Sequence, residues 1–135
     1  MAAFDFQVRV GAENMIFEDV VHLIHQTYWA KDRPKETIRR TLEHSLCFRV
    51  FCGENQIGFC RIVTDWSTLY YVADVIVDEK YRHKGAAKKM MEAVVSHPAL
   101  APLRGMLITR DAQKLYEQVG FEIYPVHFME RVGKK

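Results

Sequence analysis

The most informative stretch of this sequence is a strand-like run that leads directly into a basic segment containing one glycine. It reads Tyr70-Tyr71-Val72-Ala73-Asp74-Val75-Ile76-Val77-Asp78-Glu79-Lys80-Tyr81-Arg82-His83-Lys84-Gly85-Ala86-Ala87-Lys88-Lys89. The first part is rich in β-branched and aromatic residues, which is typical of a buried central strand. The second part opens a helix whose predicted buried side carries Ala87, Met90 and Met91. We therefore expect a central strand followed at once by a helix.

Basic side chains crowd the start of this helix, where the partial positive charge of the helix end normally favours acids. No acidic residue follows Glu79 until Glu92. A bound anion would explain this charge, since Gly85 and the small Ala86 and Ala87 would let phosphate oxygens reach the backbone amides. A solvated basic face is the alternative, and the stretch alone favours neither. The nucleotide P-loop and the three-glycine dinucleotide fingerprint are both missing.

Outward from this stretch, the pattern of the chain predicts a mixed α+β domain. Strands are expected at 6–10, 46–51, 56–64, 69–77, 106–108 and 121–129. Helices are expected at 18–30, from Pro34, from Gly85 to about His97, and between a cap at Asp111 and Gly120. No repeat or flexible linker divides the 135 residues, so we expect a single domain over residues 1–135.

Composition excludes several classes of function. Nineteen basic and seventeen acidic residues give a net charge of +2, which indicates neither a nucleic-acid nor a membrane partner. The basic segment at 80–89 lacks the interleaved aromatics of a nucleic-acid site. No apolar stretch approaches the roughly 20 residues that span a bilayer. The cysteines, three in number, lack zinc-site spacing, and His22 and His25 have no third ligand, so we expect no metal and a cytoplasmic protein.

Two motifs resemble those of a known family. Residues 75–87 look like the acetyl-coenzyme A binding motif of the GNAT superfamily of N-acetyltransferases, Gln/Arg-x-x-Gly-x-Gly/Ala after the fourth strand. Residues 112–121, Ala-Gln-Lys-Leu-Tyr-Glu-Gln-Val-Gly-Phe, resemble its Ala-x-x-Leu-Tyr-x-x-x-Gly-Phe signature. The resemblance implies a central mixed, mostly antiparallel sheet of about six to seven strands flanked by about four helices.

The resemblance also implies a reaction and a co-substrate. An acetyl group would move from acetyl-CoA to a primary amine, of a small molecule rather than a protein, by direct attack in a ternary complex. The implied cofactor-binding residues are Val75, Ile76, Val77, Arg82, His83, Lys84, Gly85, Ala86, Ala87 and Thr109. Thr109 stands where many members have Asn. Whether other acyl groups are used is not indicated.

Two residues are expected to be catalytic. By resemblance Tyr116 is the general acid that protonates the departing thiolate, although it would pack in the core if the motif were ignored. Many members place a glutamate base at the position of Tyr71, which leaves Asp74 as the acidic residue of this strand. Asp74 is expected to act as base, directly or through water, or to orient the amine; a structural hydrogen bond to neighbouring backbone is an equal alternative.

The remaining expectations concern partners. Tyr28 and Trp29 lie where the superfamily often places the border of the acceptor site, so they are candidates for substrate binding, with the core as the alternative. A late strand near Phe128 would allow a homodimer. The alternative to an enzyme is a non-catalytic module that binds coenzyme A as a sensor or contacts another protein.

Overall fold

A computed structural model describes residues 4–134 and shows a five-stranded sheet with helices on both faces. The strands are β1 (Phe6–Val10), β2 (Leu46–Cys52), β3 (Asn55–Thr64), β4 (Leu69–Val77) and β5 (Arg104–Met106). The α-helices are α1 (Phe17–Ile24), α2 (Lys35–Glu43), α3 (Ala86–Ser96) and α4 (Gln113–Glu117), and a short 3-10 helix, Glu79–Tyr81, follows β4.

The strands lie in the order of the sequence, antiparallel from β1 to β4, with β5 parallel to β4. The predicted mixed, mostly antiparallel sheet with four α-helices is therefore confirmed. The predicted strand count of about six to seven is too high, since the described residues form five strands.

Two apolar cores hold the helices on the sheet. On one face, α3 packs Met90, Met91 and Val94 against residues of β2, β3 and β4. On the other face, α1 and α2 bury their apolar sides against Phe59 and Ile76. Burial of each large apolar side chain stabilises the folded state by about 1.5–3 kcal/mol. The two cores therefore hold the sheet between its helices. No helix within residues 4–134 is long and apolar enough to cross a membrane.

Helix α1 ends at Ile24, six residues before the predicted end. From Gln26 onward the backbone hydrogen bonds run from residue i to i−3, and the Thr27 hydroxyl donates to the Ile24 carbonyl at 2.8 Å. The same hydroxyl accepts from the amide of Ala30 at 3.1 Å, so it competes with the helical pattern and ends the helix. The connection from α1 to α2 is consequently a folded loop over the sheet edge.

The end of the chain departs most from prediction. The predicted strand at 121–129 is absent, and residues 121–134 form neither helix nor strand. Pro125 lacks an amide donor, and among the described residues no strand pairs with the segment. Strand β5 begins at Arg104, whose amide bonds the Thr68 carbonyl at 3.2 Å, so it lies two residues before its predicted position of 106–108.

Candidate active site

A gap opens between β4 and the edge strand β5. The two strands pair only where Leu69–Tyr71 lies beside Arg104–Met106. Beyond this point β5 has ended, and the part of β4 from 72 to 77 has no strand beside it on that side. Unpaired backbone donors and acceptors at a strand edge bind an extended ligand in the manner of an added strand.

Strand β4 contains a β-bulge at Asp74, within its open part. Arg61 pairs with Ala73 and Phe59 with Ile76, so Asp74 and Val75 together lie opposite the single residue Cys60. Asp74 has a φ of +52°, in the left-handed region that a non-glycine residue rarely occupies. Bulges bend a strand and redirect its side chains, so this one turns Asp74 toward the α1–α2 loop.

Asp74 is held by three donors in a largely dry site. Its Oδ2 accepts from Arg33 Nη1 at 2.8 Å and from Arg61 Nε at 2.7 Å, and its Oδ1 accepts from Trp29 Nε1 at 3.0 Å. Burial raises the pKa of this carboxyl, but the bonds from the arginines and the tryptophan outweigh it and hold the pKa below the ordinary value. Asp74 is therefore ionised and a weak base, bonded to side chains rather than to neighbouring backbone.

The two arginines that pair with Asp74 were not predicted from the sequence. Arg61 lies in the apolar run from Gly58 to Val63, and the cost of a buried charge that singled out Asp74 applies equally to it. A charged residue within an apolar strand was therefore a signal that could have identified Arg61 from the sequence. Arg33 lies in the α1–α2 loop, where no sequence pattern distinguishes it from an exposed cation.

The start of α3 has the properties of an anion site. Gly85 is its N-cap with a φ of +88°, and no side chain caps the helix. A side chain at Gly85 would meet open space, so the free amides face solvent. The first turn holds no acid, and the preceding His83 also has positive φ, +63°. Unsatisfied amides at an N-terminus favour phosphate or carboxylate oxygens.

The basic side chains around α3 do not all face this site. Arg82 donates from Nε to the Val77 carbonyl at 3.0 Å, which ties the loop to the end of β4. Lys89 is bonded to the Phe6 carbonyl of β1. Lys84 lies with its Nζ 5.5 Å from the Phe4 ring centroid. The backbone amides from Arg82 to Ala87 are therefore better placed to bind an anion than the side chains of Lys84 and Lys89.

Tyr116 lies on α4 beside the open part of β4. It is 8% exposed, in the same core as the half-buried Val75 and Val77. Its ring meets Phe121 edge-on at 6.1 Å. Burial, with a smaller contribution from Cys60, raises the pKa of its phenol to about 12. Among the described residues no group hydrogen-bonds the hydroxyl, and no fully enclosed polar side-chain atom lacks a partner, so this hydroxyl is not fully enclosed.

Thr109 lies in the loop between β5 and α4. Its Oγ1 accepts from the Ala112 amide at 3.0 Å. Ala112 is the N-cap of α4 and no side chain caps this helix, so the predicted cap at Asp111 is wrong. The hydroxyl proton is left free to donate to a ligand. The Thr109 hydroxyl thus fixes the loop that precedes the helix of Tyr116.

The α1–α2 loop borders the open end of the gap. Tyr28 and Trp29 are 64% and 47% exposed, so the alternative of core aromatics is wrong for both. Their rings meet edge-on at 5.0 Å. Arg110, in the β5–α4 loop, lies 4.9 Å from the centroid of Tyr28, an interaction that the sequence did not indicate. These contacts link the loops on the two sides of the gap.

No group of three or more His, Cys, Asp or Glu side chains within residues 4–134 is arranged to hold a metal ion. His25 Nε2 contacts the Arg33 carbonyl at 2.9 Å, and His22 lies 3.9 Å from Asp78. These two histidines therefore support the α1–α2 loop and its contact with the end of β4.

The sequence and the fold both match known proteins. A sequence model described as the acetyltransferase (GNAT) domain matches residues 43–123, more than half of the chain. That range contains β2 to α4, and so the gap, the α3 N-terminus and Tyr116. A search of curated proteins found no match.

Solved structures extend the likeness over the whole chain. One, from Xanthomonas campestris pv. campestris and assigned to the GNAT family, has 35% identity and a TM-score of 0.87, covering 98% of this chain and 96% of that one. A GNAT family acetyltransferase from Streptococcus pneumoniae has 24% identity and a TM-score of 0.78, covering 97% and 100%. An aminoglycoside acetyltransferase from an uncultured soil sample, in complex with trehalose, has 18% identity and a TM-score of 0.71, covering 95% and 97%, and shows the fold alone. The chain therefore belongs to the GNAT family of acetyltransferases.

Proposed function

We propose that this acetyltransferase moves an acetyl group from acetyl-CoA to a primary amine of a small molecule. The carrying observation is that the unpaired edge of β4 lies between two complementary features. At one end are the open amides of the α3 N-terminus, and Tyr116 packs in the same core as Val75 and Val77 of this edge. A long ligand with a pyrophosphate at one end and a thioester at the other fits that arrangement.

In this proposal the pantetheine arm bonds to the exposed backbone of Val75, Ile76 and Val77. The pyrophosphate binds the amides of the loop from Arg82 through His83, Lys84 and Gly85 to Ala86 and Ala87. Gly85 supports this role because its positive φ and open surroundings leave the approach to the helix end unobstructed. Thr109, in the β5–α4 loop on the other side of the gap, donates a hydrogen bond to the ligand from its hydroxyl.

The proposed chemistry is direct transfer. A neutral amine attacks the thioester carbonyl, the new C–N bond forms, and a backbone amide near Ile76 stabilises the developing oxyanion. When the C–S bond breaks, Tyr116 donates its proton to the departing thiolate. The amine's extra proton passes to water, and solvent reprotonates the phenolate. A phenol with pKa of about 12 holds its proton throughout the neutral range, as a general acid must.

For Asp74 the geometry favours a positioning role over that of general base or of a direct contact with the amine. Both of its oxygens are occupied by donors, and its pKa is lowered, so it takes up a proton poorly. Asp74 instead acts as a positioning residue that holds Arg33, Arg61 and Trp29. This fixes Trp29 and the neighbouring Tyr28 as a wall of the acceptor site.

A small-molecule acceptor, rather than a protein, is supported by two observations. The wall formed by Tyr28 and Trp29 stands close to the β5–α4 loop through Arg110, which narrows the approach to the gap. The soil acetyltransferase with the same fold acts, by its name, on aminoglycosides, which are small molecules. The cysteines Cys47, Cys52 and Cys60 are all free thiols, which supports work in a reducing compartment such as the cytoplasm.

A second function, coenzyme A binding without turnover, is favoured by one observation. The carboxylate that β4 offers is the paired Asp74, and Tyr71 occupies the position of the usual glutamate. A sensor or interaction module would need the cofactor site but no base. The two functions differ in whether thiol is released.

The test is a thiol-release assay with acetyl-CoA and a panel of small primary amines, with the product identified by mass spectrometry. We expect amine-dependent release of coenzyme A and one added acetyl group on the amine. Binding of acetyl-CoA with no amine-dependent release across the panel would support the sensor instead. Propionyl-CoA in parallel would show whether a longer acyl group is accepted.

A further inference from the structure

A second feature near the site is a cavity of about 350 Å³ on the side of the sheet covered by α2. Its lining is basic or hydroxylated apart from one valine, and contains Thr37, Arg40, Thr41, His44, Ser45, Arg61 and Val63. No carboxylate lines it. The space is open to solvent on one side and takes a small organic group, and the guanidinium groups of Arg40 and Arg61 suit a negative charge.

The charges around this cavity do not cancel. Arg61 shares Asp74 with Arg33, so the buried carboxylate and the two partly buried arginines carry one net positive charge. Arg40 is exposed, and among the described residues no acid lies within ion-pair distance of it. Glu36, one turn earlier on α2, is turned instead to Arg39, with 3.6 Å between Oε2 and Nε.

Arg61 has donors left for a ligand. Its Nε bonds to Asp74 and its Nη1 bonds to the Ser45 hydroxyl at 3.4 Å. Nη2 is not used in either contact, and a guanidinium presents five N–H groups in all. Asp74 and Ser45 therefore hold the side chain in place while part of its fork faces the cavity.

The cavity is connected to the gap by the sheet itself. Val63 pairs with Tyr71, and Tyr71 pairs with Met106, so a row of side chains crosses β3, β4 and β5. Val63 and Met106 are 41% and 37% exposed. This row crosses the paired end of β4 and β5. Arg61, which lines the cavity, also reaches the open part of β4, since its Nε lies 2.7 Å from Asp74 Oδ2, so a short aliphatic chain can extend from the cavity to the gap.

We propose that the acceptor carries an anionic group, a carboxylate or a phosphate, which binds Arg40 and Arg61 in this cavity while its amine enters the gap. This inference rests on the proposed acetyl transfer. The acceptor is then a molecule that carries an amine and an anionic group, joined by a chain of several bonds. A polycation such as sisomicin, bound by the soil acetyltransferase, is excluded by the same positive charge.

The experiment compares matched acceptors. Unbranched ω-amino acids are assayed beside their carboxamides, and ω-aminoalkyl phosphates beside the corresponding amino alcohols, so that each pair differs in the anionic group. We expect kcat/KM to be at least about tenfold higher for the anionic member, since a charged hydrogen-bonded contact is lost in the other. Whichever series shows the preference identifies the anion as carboxylate or phosphate.

Arg40→Gln tests the site, and Arg39→Gln, a substitution of an exposed arginine on the same helix, is its matched control. Arg40→Gln should raise KM about tenfold for the anionic acceptors and leave kcat and acetyl-CoA binding nearly unchanged, because the contact is made equally in ground and transition states. Arg39→Gln should change neither KM for these acceptors nor kcat. Equal KM values for the two variants, or equal use of charged and uncharged acceptors, would overturn the inference. Acetyl-CoA binding without transfer to any amine would refute the proposed transfer itself, and this inference with it.

Discussion

At the scale of single residues, the bulged Asp74 connects the sheet to the α1–α2 loop. We expect Asp74→Asn to lower the free energy of unfolding by about 3 kcal/mol, since it leaves Arg33 and Arg61 without a counter-charge. This is the lower end of the range for a broken buried pair because both arginines keep some contact with water. Urea unfolding at neutral pH measures the change.

The same pairing predicts how stability depends on pH. Because the folded pKa of Asp74 lies below the unfolded value of about 3.9, its contribution is present above that pH and is lost as pH falls through the folded pKa. The difference between wild type and Asp74→Asn should therefore shrink in acid. Asp32→Asn, an exposed substitution in the same loop, should leave stability within about 0.5 kcal/mol of wild type at every pH. A loss as large as that of Asp74→Asn would contradict the account.

Tyr116→Phe removes the proposed acid and keeps the ring that packs on Phe121. We expect kcat to fall by about 10²–10⁴-fold with little change in acetyl-CoA affinity, measured by thiol release and calorimetry. Tyr70→Phe is the matched control, because it removes a hydroxyl from another buried tyrosine of the same core. With a pKa of about 12, Tyr116 should cause no alkaline loss of wild-type activity below about pH 10. Unchanged kcat in Tyr116→Phe would remove the residue from the mechanism.

At the scale of secondary structure, the closed end of the gap depends on β5 lying close to β4. A Cβ added at Gly105 would lie 2.4 Å from the Cζ of Tyr70, closer than real Cβ atoms come to other atoms. Gly105→Ala should therefore push β5 away and destabilise the protein by about 1–3 kcal/mol, as measured by thermal unfolding. Gly133→Ala, in open space, should be neutral. If the two variants unfold alike, close strand contact at Gly105 is not required.

Much of this layout follows from local sequence pattern. The run from 69 to 77 predicted β4 with its observed bounds, whereas the charge at the start of α3 left an anion site and a solvated basic face as alternatives. The early end of α1 was not predictable from apolar spacing, because one hydroxyl, that of Thr27, redirects the backbone. The pairing of Asp74 with Arg33 joins residues 41 positions apart, and only the fold brings them together.

At the scale of the whole molecule, we propose that a second copy covers the segment from 121 to 134. Its large apolar side chains, including Ile123, Val126, Phe128 and Met129, are between 63% and 87% exposed. The nearby β5 is the edge strand of the sheet, with free backbone groups. An apolar segment beside a free edge of the same chain favours strand pairing between copies.

Light scattering at micromolar concentration should therefore give the mass of a dimer. Val126→Asp with Phe128→Asp should give a folded monomer, since it places charge in the contact. Ile16→Asp is the control, because it places an aspartate at an exposed apolar position before α1, away from the proposed contact. A wild-type monomer, or a dimer that persists in the double variant, would refute this interface.

The central claim is that acetyl-CoA binds along β4 with its pyrophosphate on the start of α3. Calorimetric titration of acetyl-CoA into wild type, Gly85→Glu and Gly53→Glu tests it most directly. Both glycines have positive φ and open surroundings, so the two substitutions carry similar strain, but only that at Gly85 puts a negative charge at the helix end. The account predicts binding to wild type and to Gly53→Glu, and its loss in a folded Gly85→Glu. Equal binding to all three proteins, or none to wild type, would contradict it.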